Sequence, residues 1–383
     1  MHKTTAHQAE VPYFLVGYLS RRWALLFTLL LAYVLAFTNG FRMPNIWSVN
    51  YFLPSIFEGF YRRSLLGSLL FPLGELRFNY YVIAGVQIAI FVGLNIAMIY
   101  QSFKAQGAAR WLWPLFLISP AGGYFFHEIG YVDQVLYLIL LCAISSKSSM
   151  GSSVLMVLSL FIHEMALFTI FPVYLAWCFY QGKPLQFIAK TTALALFVFG
   201  LIYLFLQTSS NEAISQFLEQ ADRLSNYAVR TDYYDVFRLT FVGGIYQVPY
   251  MAREIVNHVI LIPLWIMAGW CFAQQGTSVA EKRQLFAIGV LASFAPVLLG
   301  IFGWDYSRWL FLSMASSGLC LFIARAHLGW KILLLLAILF LALPTVGFLD
   351  YFDRFTPRFA PWYQWPYFYE VDLWNILNNI PSR

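Results

Sequence analysis

The chain has 383 residues, 60% of them hydrophobic and 11% charged, with a formal net charge of +6 and a mean hydropathy of +0.67. A soluble core of this size cannot hide that much apolar surface, so a water-soluble fold is excluded and the surplus faces lipid. The composition predicts an all-α polytopic membrane bundle in one integral domain, 1–383, surrounded by membrane lipids and with no nucleic-acid partner. The four cysteines, Cys142, Cys178, Cys271 and Cys320, sit in apolar runs at no metal-ligand spacing. They are expected to pack, and no disulfide, metal or cofactor is expected.

The residues up to Ser20 show no small-residue cleavage pattern, so the first apolar run, Trp23 to Thr38, is retained as a membrane helix. The stretch 39–78 follows, carrying Arg42, Glu58, Arg62, Arg63, Glu75 and Arg77. Within it Glu58-Gly-Phe-Tyr-Arg-Arg-Ser-Leu-Leu-Gly stands out, because charge is rare in this chain. Residues 64–73 are apolar enough to lie in the membrane interface or to re-enter the membrane. An arginine pair at that depth suits the phosphate or pyrophosphate of a lipid carrier, with Glu58 one turn away. The acyl chain would then lie along Leu65, Leu66, Leu69 and Leu70. The plainer alternative is that Arg62 and Arg63 snorkel to lipid headgroups as anchors.

Asn79 to Tyr100 is the next span. Residues 110–146 are interrupted at Pro120-Ala-Gly-Gly and at His127-Glu128, which predicts a hairpin of two short helices. Asp133 opens the following apolar run, where a helix N-cap is its ordinary role; with His127 and Glu128 it also forms a titratable cluster. Residues 152–180 make an apolar run of about 29 residues, longer than the roughly 25 of one span, with His163-Glu164 in the middle. An ionised glutamate at the bilayer centre costs a few kcal/mol or more. A hairpin with the pair at its tip is therefore expected. Neither His-Glu pair has the second histidine of the zinc-binding His-Glu-x-x-His pattern, which argues against a zinc hydrolase.

Lys190 to Leu206 precedes the long segment 207–253. There Asn211 to Leu224 is helical, with Ile214, Phe217, Leu218 and Leu224 near one face, and Arg230, Asp232, Tyr233, Tyr234, Asp235 and Arg238 follow. It is either a surface amphipathic helix or a lid over a substrate. Glu254 to Phe272, Gln284 to Phe302, Arg308 to Ala324 and Trp330 to Leu349 complete the spans. Asp305 and Arg308 share a very short turn, where they pair with each other or face a substrate. The tail 350–383 is dense in aromatic residues, as an interfacial belt or a sugar-stacking surface.

Counting both hairpins gives about eleven spans, with the N-terminus cytoplasmic and the C-terminus outside. Of the 24 basic residues, 12 then fall on each side, a tie by the positive-inside rule. Residue type separates the faces: all seven lysines are on the cytoplasmic side, while the other side holds only arginines and 16 of the 18 acids. The opposite orientation is the alternative.

This layout of an acid near arginines in the first outer loop, short helix hairpins and a longer outer loop resembles the polyprenol-dependent glycosyltransferases of the GT-C type. The stretches "GFYRRSLLG" and "HEIGYVDQ" are also similar to bacterial O-antigen and capsule polymerases. The resemblance implies a GT-C-like fold. It also implies sugar transfer from an undecaprenyl-phosphate- or pyrophosphate-linked glycan donor to a glycan or lipid acceptor, at the outer face of the bacterial inner membrane. The family's first-loop acid falls on Glu58, with Asp133 as the competing choice, and its lipid-phosphate arginines fall on Arg62 and Arg63. Glu128 and Glu164 are further candidates for the catalytic acid; His127, His163, Arg230, Asp305 and Arg308 are candidates for substrate contact. The loop lacks the Asp-x-Asp or Glu-x-Asp pattern of many such transferases, so no metal is assigned.

A transporter or lipid flippase is the leading alternative, although such proteins usually show repeats relating two halves. Only "FFHEIG" and "FIHEMA" are alike here. A membrane acyltransferase lacks its expected histidine near the first outer loop, since none occurs between His7 and His127. A purely structural subunit leaves the one-sided gathering of acids and arginines without a reason.

Overall fold

The computed structural model describes residues 13–204, 209–237, 256–301 and 305–342. Helices and turns account for these residues, with no strand among them. The aromatic tail 350–383, the chain before Tyr13, and the 207–253 segment beyond Phe237 lie outside the described residues.

α1 (Tyr13–Gly40) leads to the short α2 (Ile46–Asn50), whose first turn is capped by the Asn45 side chain, and to α3 (Leu65–Leu70). A 3₁₀ segment, Phe71–Phe78, precedes α4 (Tyr80–Lys104), capped by Asn79. α5 (Leu112–Ile118) and α6 (Pro120–His127) are split at Ser119, and α7 (Val132–Ser145) leaves α6 at a bend of 109°. The expected pair of short helices is therefore a set of three, and Pro120 opens a helix instead of breaking one, its missing N–H costing nothing in the first turn.

α8 (Ser149–Ile162), a 3₁₀ turn at Glu164–Leu167 and α9 (Ile170–Tyr180) follow. Ser152 Oγ lies 2.8 Å from the Tyr174 hydroxyl, and Lys183 Nζ donates to Ser149 Oγ at 3.3 Å, so the chain doubles back with His163-Glu164 at the tip. α10 (Leu185–Leu204) and the amphipathic α11 (Asn211–Leu224) come next. α12 (Ile262–Ala273), α13 (Val279–Phe294) with its 3₁₀ extension Ala295–Ile301, α14 (Tyr306–Ile323) and α15 (Trp330–Ala342) complete the described chain.

Four helical stretches are long and apolar enough to cross a membrane: Arg22–Gly40, Tyr80–Lys104, Leu185–Ile202 and Val279–Ile301. The bent α6–α7 pair makes a fifth if it forms one span. The other apolar helices among the described residues run only 10–17 residues, so the expected count of about eleven exceeds what helix length alone supports.

The connections collect at two ends of the bundle. At one end Arg42 reaches the 128–131 loop, Arg62 and Arg63 reach Glu164, Ser209 donates to the Gly59 carbonyl, and the Asn226 side chain accepts the Tyr80 amide at 2.8 Å. At the other end Lys183 meets Ser149, and His327 lies 3.0 Å from Gln275. Lys104, Lys147, Lys183, Lys190, Lys282 and Lys331, the described lysines, all belong to this second end, together with Glu281. Every other described acid belongs to the first.

Two glycines fix the first end. A Cβ on Gly40 would sit 1.7 Å from the Gly123 carbonyl oxygen, so α1 and α6 meet backbone to backbone and bring Arg42 beside His127. Gly130 adopts φ +93° in the turn between α6 and α7, a conformation that an L side chain resists. Gln87 on α4 locks that turn, donating to the carbonyls of Ser48 (2.9 Å) and Gly130 (3.1 Å).

Candidate functional site

The centre of the first end is the hairpin tip. Glu164 Oε1 accepts from Arg62 Nε at 3.2 Å and Nη2 at 2.5 Å, while Arg63 Nε donates to both carboxylate oxygens at 3.0 and 3.1 Å and its Nη2 also reaches Oε1. All three side chains are close to fully buried. Arg63 is the one described non-glycine residue with positive φ, +55°, so the chain takes a strained turn to aim both neighbouring guanidiniums at one acid. Burial alone would raise the Glu164 carboxyl, but the two guanidiniums hold it well below the usual carboxylate range. His163 caps the turn, its Nδ1 accepting the Met165 amide at 3.2 Å. Burial, reinforced by Arg63, pushes this imidazole well below its ordinary value, so it is neutral.

A second centre adjoins the first. Arg308 forks onto Asp133, Nε to Oδ2 at 2.8 Å and Nη2 to Oδ1 at 2.9 Å, and its Nη1 donates to the Tyr51 hydroxyl at 3.3 Å. Asp133 was expected to cap α7. Tyr131 holds the cap position instead, and Asp133 lies in the first turn, free to face Arg308 from α14. Asp305 caps α14 through the Arg308 amide (3.4 Å), and its carboxylate is 4.0 Å from the Arg308 guanidinium, so this close pair is secondary to Asp133. The Tyr51 ring links the two centres, 5.7 Å from His163, 5.8 Å from Tyr131 and 5.2 Å from Tyr233.

Glu128 borders the second centre. Arg42 Nη2 donates to its Oε1 at 3.3 Å, Arg42 Nε donates to the His127 carbonyl at 2.7 Å, and His127 Nε2 is 3.8 Å from Glu128. Burial pushes the Glu128 carboxyl up to about 8, against the pull of Arg42. Burial likewise takes Asp305 up to about 6, opposed by Arg308 and assisted by Asp133. Both groups lie in loops between helices.

Glu58 stands apart from the arginines next to it in sequence. It is paired with Arg77, whose Nη1 donates at 2.8 Å, and Arg77 in turn stacks 4.5 Å from the Phe78 ring. The 3₁₀ turn at Ile56–Glu58 ends in the left-handed Gly59, which turns the chain so that Glu58 and the arginine pair separate. Arg230 also lies outside the buried centres: it forks onto Asp232 and stacks on Trp47, with half of its side chain exposed. The expected lipid surface is only partly there, since Leu66 is buried while Leu69 is 67% exposed. α11 does present Ile214, Phe217 and Ala221 inward, against Phe60 and Tyr234, with Leu218 and Leu224 half-buried.

Sequence reasoning missed Tyr51, Tyr233 and Arg42 as members of the site. A tyrosine among 24 carries no signal of its own, and Arg42 becomes informative only once Gly40 brings α1 against α6. No group of three or more His, Cys, Asp or Glu among the described residues is arranged to hold a metal ion. Chemically, the first centre offers two guanidiniums for one carboxylate, a receptor for an oxyanion. Beside the second, Glu128 and Asp305 are carboxyls whose affinity for protons burial raises. Comparison with protein-family models, curated proteins and solved structures finds no match for this chain.

Proposed function

We propose that the protein is a membrane glycosyltransferase or polysaccharide polymerase acting on polyprenyl-phosphate- or pyrophosphate-linked sugars. Its bundle would make about eleven crossings in a GT-C-like arrangement, with the lysine-bearing end in the cytoplasm and the site at the outer face of a bacterial inner membrane. The observation that carries the proposal is the convergence of Arg62 and Arg63 on the single carboxylate of Glu164 in a buried site. Two buried guanidiniums against one carboxylate leave a positive charge that a phosphate oxyanion neutralises.

In the transfer, the acceptor hydroxyl gives its proton to a carboxylate and its oxygen bonds to the anomeric carbon, while the bond from that carbon to the phosphate oxygen breaks. The leaving phosphate takes the electron pair and is stabilised by Arg62 and Arg63. Glu128 suits the role of base better than Glu58, Asp133 or Glu164, because Arg77, Arg308 and the Arg62–Arg63 pair occupy those three carboxylates with close forked or multiple contacts. Arg42 meets Glu128 through Nη2 at 3.3 Å, and burial raises the affinity of Glu128 for the proton it would accept. A single displacement inverts the anomeric centre.

Replacing Arg62 with alanine is expected to leave the protein in the membrane of its native cells and to shorten or abolish surface glycan. An unchanged glycan profile contradicts the proposal. One feature favours the transporter alternative: both His-Glu pairs sit where a helix ends and a second helix folds back, as internal repeats do. Transport of a polyprenyl-linked substrate by reconstituted protein, without sugar transfer, would establish that alternative.

A further inference from the structure

The 3₁₀ segment Thr231–Phe237 has two faces. Thr231, Asp232 and Asp235 are exposed, while Tyr233, Tyr234 and Phe237 are fully buried. α2 holds the start of the segment: the Asn50 side-chain amide donates to the Arg230 carbonyl at 3.3 Å, and the Arg230 guanidinium stacks 4.9 Å from the Trp47 ring. The Tyr233 ring makes edge-to-face contacts with Trp47, Tyr51 and Tyr234, at 5.3, 5.2 and 5.3 Å between centroids. That packing fixes where its hydroxyl points.

The hydroxyl lies beside the Arg63 guanidinium, in the field of Glu164, and makes no hydrogen bond. A buried hydroxyl without a partner is unfavourable, and its proton needs an acceptor. A guanidinium has none to offer, and Glu164 is already engaged by both arginines. Tyr234 also buries an unpartnered hydroxyl, but the charges that act on it are those of Glu58 and Arg77.

We infer that Tyr233 is a further phosphate ligand, its O–H donating to an oxygen of the anionic headgroup held by Arg62 and Arg63. The inference rests on the phosphate site proposed above. A phosphate oxygen supplies the acceptor that the phenol proton lacks, in a hydrogen bond of the strong, charge-assisted kind. The headgroup is then gripped between two distant parts of the chain, the arginine turn and the 231–237 segment. Because the centre is buried, the segment gives way for the ligand to enter, and the hydroxyl meets the phosphate on its return.

The test measures the affinity of the purified full-length protein for an isoprenyl phosphate and for the uncharged isoprenol of the same chain length. Tyr233→Phe keeps the ring and removes the hydroxyl. It should weaken phosphate binding roughly tenfold, leave isoprenol binding unchanged and not lower the melting temperature of ligand-free protein, since the lost group had no partner. Tyr234→Phe, which removes the neighbouring unpartnered hydroxyl, should change neither affinity. Unchanged phosphate binding by Tyr233→Phe overturns the inference. An equal loss in Tyr234→Phe, an equal loss for isoprenol or a lowered melting temperature overturns it too, because each makes the hydroxyl a structural group. Wild-type protein that binds both lipids equally removes the phosphate site itself, whereas a phosphate preference that survives Tyr233→Phe but not the loss of Arg62 and Arg63 removes the tyrosine alone.

Discussion

Two adjacent guanidiniums meeting one carboxylate at a strained backbone position is a costly arrangement, because each buried charge has lost its water. It persists when the surrounding structure over-determines it, as at Arg63, whose φ of +55° is held by the short segment between Tyr61 and α3. The Arg308–Asp133 fork is of the same kind, and Arg308 additionally lies 4.7 Å from the Tyr131 ring. Glu128 and Asp305 behave differently. Their folded affinities for protons, about 8 and about 6, exceed those of the unfolded chain, 4.5 and 3.8. The folded state therefore binds more protons in the windows between those values, and stability from the neutral forms is present at low pH and lost as pH rises through them. Below about pH 6.5 the buried neutral His163 opposes this loss, because the unfolded chain protonates it. Thermal melting is therefore expected to show the wild-type protein losing stability chiefly between pH 6.5 and about 8, by about 2 kcal/mol. Glu128→Gln should remove most of that loss. A wild-type melting temperature that stays level over this range contradicts the assignment. The charged residues themselves were legible in the sequence, since few interrupt an apolar chain. Their pairing was not: Arg62 and Glu164 are 102 positions apart, Asp133 and Arg308 are 175 apart, and nothing local distinguishes those partners from Glu58 or Asp305.

At the scale of elements, composition and run length located most of the helices. The hairpin at His163-Glu164 followed from an apolar run too long for one span and carrying charge at its centre. Its tip is capped as a helix end must be, with the His163 side chain taking the orphaned Met165 amide. The interruptions at Pro120 and at His127-Glu128 were legible, but the three-helix arrangement of residues 112–145 was less so, because the first break is the single residue Ser119 and Pro120 then opens a further helix. The division of lysine from acid between the ends was readable before the ends could be seen, and the connections place Lys147 and Lys183 together, away from Glu128, Glu164 and Asp305. Reporter fusions in the 146–148 loop and in the 128–131 loop should accordingly report opposite sides of the membrane, the first cytoplasmic. The same compartment for both contradicts the assignment of the two ends.

Over the whole molecule, the buried arginines gather at one end of an apolar helical bundle. Electrostatics in such a site act at low local polarity, where an oxyanion and a guanidinium attract more strongly than in water. The central claim is that the Arg62–Arg63–Glu164 centre recognises a lipid phosphate. The most direct measurement is the affinity of the purified protein for an isoprenyl phosphate against the uncharged isoprenol of the same chain length. The phosphate is expected to bind at least tenfold tighter, with that preference lost when Arg62 and Arg63 are both alanine. Equal affinity for the two lipids, or a preference that survives loss of both arginines, would contradict it.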